Sequence, residues 1–119
     1  MSENIFNRAR IIDQNFVSLV KKGEFPTFKT NQRLSELNIS PNQLISIFES
    51  QVISRHIDFK SRELKNKGEC FYTIGSSGHE GNAVFGNIFE IHDMAFLHYR
   101  STSFFLERSK KLFGTTPIN

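Results

Sequence analysis

The chain has 119 residues and a formal net charge of +3, which allows one modest domain and argues against two. Its 15 Lys and Arg are interleaved with 12 Asp and Glu, so no basic tract marks a nucleic-acid partner. Cys70 stands alone, which rules out an intrachain disulfide or multi-cysteine metal site and suits a reducing compartment, and no run approaches the roughly 20 apolar residues of a membrane span.

The opening "MSENIFNRARIIDQNF" has no apolar signal core, and its acidic residues argue against an organellar transit peptide, so a cytoplasmic chain is expected. Over 8–21, Ile11, Ile12, Phe16, Leu19 and Val20 fall on one side of a helix that Lys21, Lys22 and Gly23 close. The following "EFPTFKTNQRLSELNIS" reads as a connector with at most one helical turn near Leu34.

A long helix is predicted over 41–67. Ser40 can cap it, Pro41 fits its first position, and Gln43 completes a capping box. Leu44, Ile45, Phe48, Val52, Ile53, Ile57 and Leu64 follow helical spacing, and Gly68 supplies the stop. Next, "FYTIGSSGHEGNAVFGNIF" reads as a short apolar run, a Gly-Ser turn and a helix holding Gly81 and Gly86. Ala83, Val84, Phe85, Ile88, Phe89 and Ile91 are apolar on more than one face, so this helix is expected to be covered from several sides. Each glycine costs about 1 kcal/mol against alanine, which close approach of another helix or of a ligand would explain. "AFLHYR" is consistent with a buried strand or extended segment, and "STSFFLERSKKLFG" with a short capped helix ending at Gly114.

Several residues invite chemistry. The "GSSG" turn is either an ordinary turn, with Glu80 favouring the helix dipole, or a set of free N–H groups for an anion. His79 and His98 are not at metal-ligand spacing, His56 reads as a core or surface histidine, and His92 and Asp93 as a polar turn. Cys70 reads as a buried, inert thiol. Arg100 is either a surface arginine or a fixed planar donor at the rim of a core, suited to a phosphate. Thirteen phenylalanines with no tryptophan imply either a substantial core or a surface made for a partner.

The stretch from about Ile45 to Arg108, with "SRHID", "FYTIGSSGHE" and "HYR" in order, resembles the α subunit, or the α half of fused α-β chains, of the thiamine-diphosphate-dependent decarboxylating component of 2-oxo acid dehydrogenase complexes. "FYTIGSSGHE" and "FLHYR" are most similar to the branched-chain-type, 2-oxoisovalerate dehydrogenase-like members. The resemblance implies a mostly α segment that forms the N-terminal part of a doubly wound α/β cofactor-binding fold. Residues 1–40 would then be an N-terminal helix and connector, and 41–119 an incomplete N-terminal part of the cofactor domain. Tyr99 and Arg100 match the family's pair that contacts the cofactor diphosphate. Tyr72, or Phe71 if the turn is one residue longer, matches the aromatic on the substrate side.

The implied partners are a β subunit or β half, a lipoyl acyltransferase and further copies in a homo-oligomer, with neither nucleic acid nor membrane. The family's Gly-Asp-Gly to Asn stretch, which holds magnesium, and the β-half glutamate that activates the thiazolium are absent from these residues. The expectation is therefore an N-terminal piece of the enzyme, inactive alone. The rival expectation is a non-catalytic helical module that uses a Phe-rich face to bind a partner.

Overall fold

The computed structural model describes residues 7–24, 27 and 33–116. The backbone divides into two units, Met1–Leu37 and Asn38–Asn119.

In the first unit, α1 spans Arg8–Lys22. Asn7 caps it, its side-chain oxygen accepting the Arg10 N–H at 3.1 Å, and at the far end the Gly23 N–H returns to the Leu19 and Val20 carbonyls. The apolar stripe of Ile11, Ile12, Phe16, Leu19 and Val20 forms as predicted, but all five side chains remain exposed. A single 3-10 turn at Leu34–Glu36 answers the expected turn near Leu34. Much of the predicted connector, residues 25, 26 and 28–32, lies outside the described residues, as do 117–119.

The second unit holds α2 (Pro41–Asn66), α3 (Asn82–Ile88) and α4 (Thr102–Phe113). Helix α2 is unbroken, as its end signals predict. Ser40 Oγ accepts the Gln43 N–H at 3.2 Å while Gln43 Oε1 accepts the Ser40 N–H at 2.9 Å, closing the capping box. Ser40→Ala removes one half of it and should lower stability by about 1 kcal/mol in a urea melt of the chain. At the other end Gly68 adopts φ 76, which lets its N–H reach the Lys65 carbonyl and the Glu69 N–H reach the Leu64 carbonyl. Lys67 first, and Lys60 second, hold the exposed Glu63 carboxyl below its ordinary pKa.

The packed face of α2 is not its apolar one. Ile47, Ser50, Ser54, Arg55 and Asp58 are buried, whereas Ile45 and Phe48 are exposed. Small side chains explain this, because Ser50 and Ser54 on α2, Ala83 and Gly86 on α3 and Ser103 on α4 let the three helices approach closely. The buried apolar set is correspondingly short: Ile47, Ala83, Phe104 and Leu106.

Helix α3 differs from expectation in two ways. It starts at Asn82, so Gly81 precedes it and has open space where a Cβ would stand. Only Gly86 meets a close neighbour, with its Cβ position 2.7 Å from the Phe104 carbonyl oxygen. Nor is α3 covered on several sides, since Val84, Phe85 and Ile88 are exposed. Residues 95–100, predicted as a buried strand or extended segment, form no strand and end in a turn at 99–100, and Phe96 is 96% exposed. Helix α4 ends at Gly114 as expected, but Ser101 gives it no side-chain cap.

The described residues are therefore mostly α and contain no strand. Among them, no helix is long and apolar enough to cross a membrane. Phe104 is the only buried phenylalanine among those described, which leaves most of the Phe content on the surface of the chain.

Candidate functional site

The candidate site is built on the loop between α3 and α4, beside the Gly-Ser turn. Its first component is the turn itself. Asp58 is 4% exposed on α2, and its carboxylate accepts the Ser76 N–H at 2.9 and 2.8 Å and the Ser76 hydroxyl at 3.1 Å. Arg55, one helical turn earlier, donates to the same carboxylate at 3.1 Å. Gly75 packs tightly at this contact, because a Cβ there would stand 3.2 Å from Asp58 Oδ2.

These bonds weigh against the anion reading of "GSSG". The Ser76 N–H is taken by Asp58, the Gly78 N–H by the Glu80 carboxylate at 2.8 Å, and the His79 N–H by the Ser76 carbonyl. The first N–H groups of α3 are also satisfied, Asn82 by His79 and Ala83 by Glu80. Glu80 thus closes the turn rather than sitting in the first turn of the helix. The Ser76, Gly78 and His79 donors of the turn are thus already paired within the chain.

The second component is the tight turn 98–101. The Ser101 N–H donates to the His98 carbonyl at 2.9 Å, and the Arg100 N–H donates to His98 Nδ1 at 3.1 Å. The second bond ties the Arg100 backbone to the His98 ring. The rings of His79 and His98 meet edge to face with centroids 5.1 Å apart, a contact that their spacing in sequence does not reveal. No group of three or more His, Cys, Asp or Glu that could hold a metal ion occurs among the described residues.

Tyr99 and Arg100 stand together on this turn, with the Arg100 guanidinium carbon 5.7 Å from the centroid of the Tyr99 ring. Tyr99 is 66% exposed, whereas Arg100 is half-buried and its Nε is fully buried without a hydrogen-bond partner. A buried donor left unpaired costs about 1–3 kcal/mol. Phe71 and Tyr72 lie before the Gly-Ser turn, both exposed, with Phe71 uncovered. Cys70 is half-buried, its thiol 3.7 Å from the Ser61 carbonyl oxygen.

The sequence reading missed Asp58, Ser76 and Thr102. The signal for Asp58 was the polar stripe Ser50, Ser54, Asp58, which runs along α2 at helical spacing and reads as a solvated face until the partner turn is known, whereas nothing local marks Ser76 or Thr102. Compared with known proteins, the chain matches no family model, no curated protein and no solved structure.

Proposed function

We propose that this chain supplies the diphosphate-binding segment of a thiamine-diphosphate-dependent 2-oxo acid dehydrogenase, in the manner of its α-type subunits. The observation that carries the reading is the buried, acceptor-less Arg100 Nε next to Tyr99, on the segment whose "HYR" motif led to the resemblance. The fit is chemical. A guanidinium offers two parallel donors to a phosphate, and the neighbouring phenol adds a neutral donor to the same oxygens. When bound, the cofactor would supply the thiazolium carbon for decarboxylation of a 2-oxo acid and transfer of the acyl group to a lipoyl partner.

In this scheme the chain's own residues bind and orient. Arg100 neutralises diphosphate charge, Tyr99 donates a hydrogen bond, and Tyr72, with Phe71 as the alternative, shapes the acyl side. The magnesium ligands and the activating glutamate come from elsewhere in the assembly. The exposed apolar faces of α2 and α3, together with Phe71 and Phe96, support covering by a β-type partner, further copies and the α/β sheet of the complete fold.

Thiamine diphosphate titrated into the chain, followed by calorimetry and by the Arg100 Nε–H resonance, tests the reading. Arg100→Ala should weaken binding by about 2–3 kcal/mol, and Arg100→Lys should recover only part of this because it lacks the fork. Exposed Phe71 and Phe96 also favour the second reading, a non-catalytic interaction module. That reading expects no response of Arg100 to the cofactor, and it stands if the wild-type chain shows none.

A further inference from the structure

We infer that the hydrogen-bonded chain Asp58–Ser76–Thr102 is a positioning device that sets how the Tyr99–Arg100 turn is presented, and through it the affinity for a diphosphate. The inference rests on the diphosphate reading above and adds residues that the motif does not contain.

Ser76 Oγ lies 3.1 Å from Asp58 Oδ1 and 3.0 Å from Thr102 Oγ1. A serine hydroxyl has one proton, and a carboxylate is the stronger acceptor, so the proton goes to Asp58. Thr102 then has to donate to Ser76. The chain of bonds runs in one direction, from α4 through the Gly-Ser turn to α2, and ends on a charge held by Arg55.

Thr102 is the first residue of α4 and follows the 98–101 turn directly. A second tie lies beside it, where Ser103 Oγ donates to the His79 carbonyl at 3.1 Å. Two consecutive residues of α4 are thus fastened to the Gly-Ser turn, and that turn is fastened to α2 by three bonds from Ser76 to one carboxylate. The free end of this frame is Tyr99–Arg100, tied to His98 through the Arg100 N–H. Loss of the Thr102 donor would let the start of α4 drift against the turn, while the small-residue contact of α3 with α4 keeps the fold.

Thr102→Val removes the donor and keeps the shape, and Thr102→Ser keeps the donor. Both chains are to be titrated with inorganic pyrophosphate and with thiamine diphosphate, and exchange of the Arg100 backbone N–H is to be followed without ligand, alongside thermal unfolding. The expected result is affinity about five-fold weaker and faster Arg100 exchange in Thr102→Val, with Thr102→Ser within about two-fold of the parent on both measures. A merely structural hydroxyl would move the unfolding midpoint but not the affinity of the folded molecules. Thr102→Val and Thr102→Ser agreeing with each other in affinity and in exchange would overturn the inference. Should the parent bind neither pyrophosphate nor thiamine diphosphate while Thr102→Val still speeds Arg100 exchange, the diphosphate reading falls and the positioning chain stands.

Discussion

Gly86→Ala is expected to destabilise the chain by about 2 kcal/mol, although alanine is the better helix former by about 1 kcal/mol. The added methyl would stand 2.7 Å from the Phe104 carbonyl oxygen, 2.9 Å from Glu107 Cβ and 3.1 Å from Phe104 Cα. Two of those three atoms are backbone, and the third is the first carbon of a side chain that is itself buried, so no flexible group can swing aside. Helices α3 and α4 would have to separate, loosening the packing around Ala83, Phe104 and Leu106. Gly81→Ala is the matched control. Gly81 has φ −58 and ψ −19 with open space at its Cβ position, so alanine should be neutral or stabilise by up to about 1 kcal/mol. Urea unfolding should shift down for Gly86→Ala and stay level or rise for Gly81→Ala, and a Gly86→Ala chain as stable as its parent would contradict the contact.

That pair of glycines also marks how far the sequence could be read. Where a local signal sets local structure, as in the Ser40–Gln43 box, the Gly68 stop and the Gly114 end of α4, the element follows from the residues in order. Two glycines five residues apart look alike in sequence, however, and only the path of α4 separates the one in a turn from the one in a contact. The same limit applies to burial. Apolar periodicity identified α2 correctly as a helix but pointed to the wrong packed face, because in this chain Ser50, Ser54 and Asp58 meet α3, α4 and the Gly-Ser turn while Ile45 and Phe48 stay open. Hydropathy patterning assumes that the apolar face meets its cover within the same chain.

The site was legible to a similar degree. The Tyr99–Arg100 pair could be singled out from the end of an apolar segment, but the state of its atoms could not. That Arg100 Nε is buried and unpaired depends on a turn closed by His98 and Ser101. The carboxylates that organise the unit were less visible still, since a lone Asp58 or Glu107 on a helix reads as a solvent-facing charge. Their partners lie 18 residues away for Asp58 with Ser76, and 57 and 20 away for Glu107 with Ser50 and Asn87.

Glu107 carries the second large expected effect. It is 1% exposed and joins all three helices of its unit, accepting the Ser50 hydroxyl of α2 at 2.5 Å and the Asn87 amide of α3 at 2.9 Å, with Lys110 of its own helix 3.6 Å away. Glu107→Ala should cost about 3 kcal/mol in urea unfolding, the scale of breaking a buried charged network and leaving space behind it. Lys110 is not the source of that cost, because it keeps the Ser46 carbonyl at 2.9 Å and Glu49 at 2.9 Å. The loss falls mainly on the buried Ser50 hydroxyl, left as a donor without an acceptor, and in part on the half-buried Asn87 amide. Glu107→Gln should cost only about 1 kcal/mol, since one oxygen still serves Ser50 and the Asn87 amide can turn to offer its own oxygen. The two positions should also be strongly coupled: Ser50→Ala ought to destabilise the parent by about 1 kcal/mol yet change little in the Glu107→Ala background, where its acceptor is already gone. Additive losses in that cycle would show that Glu107 acts through packing alone and would remove the hydrogen-bonded network as the element that joins α2, α3 and α4.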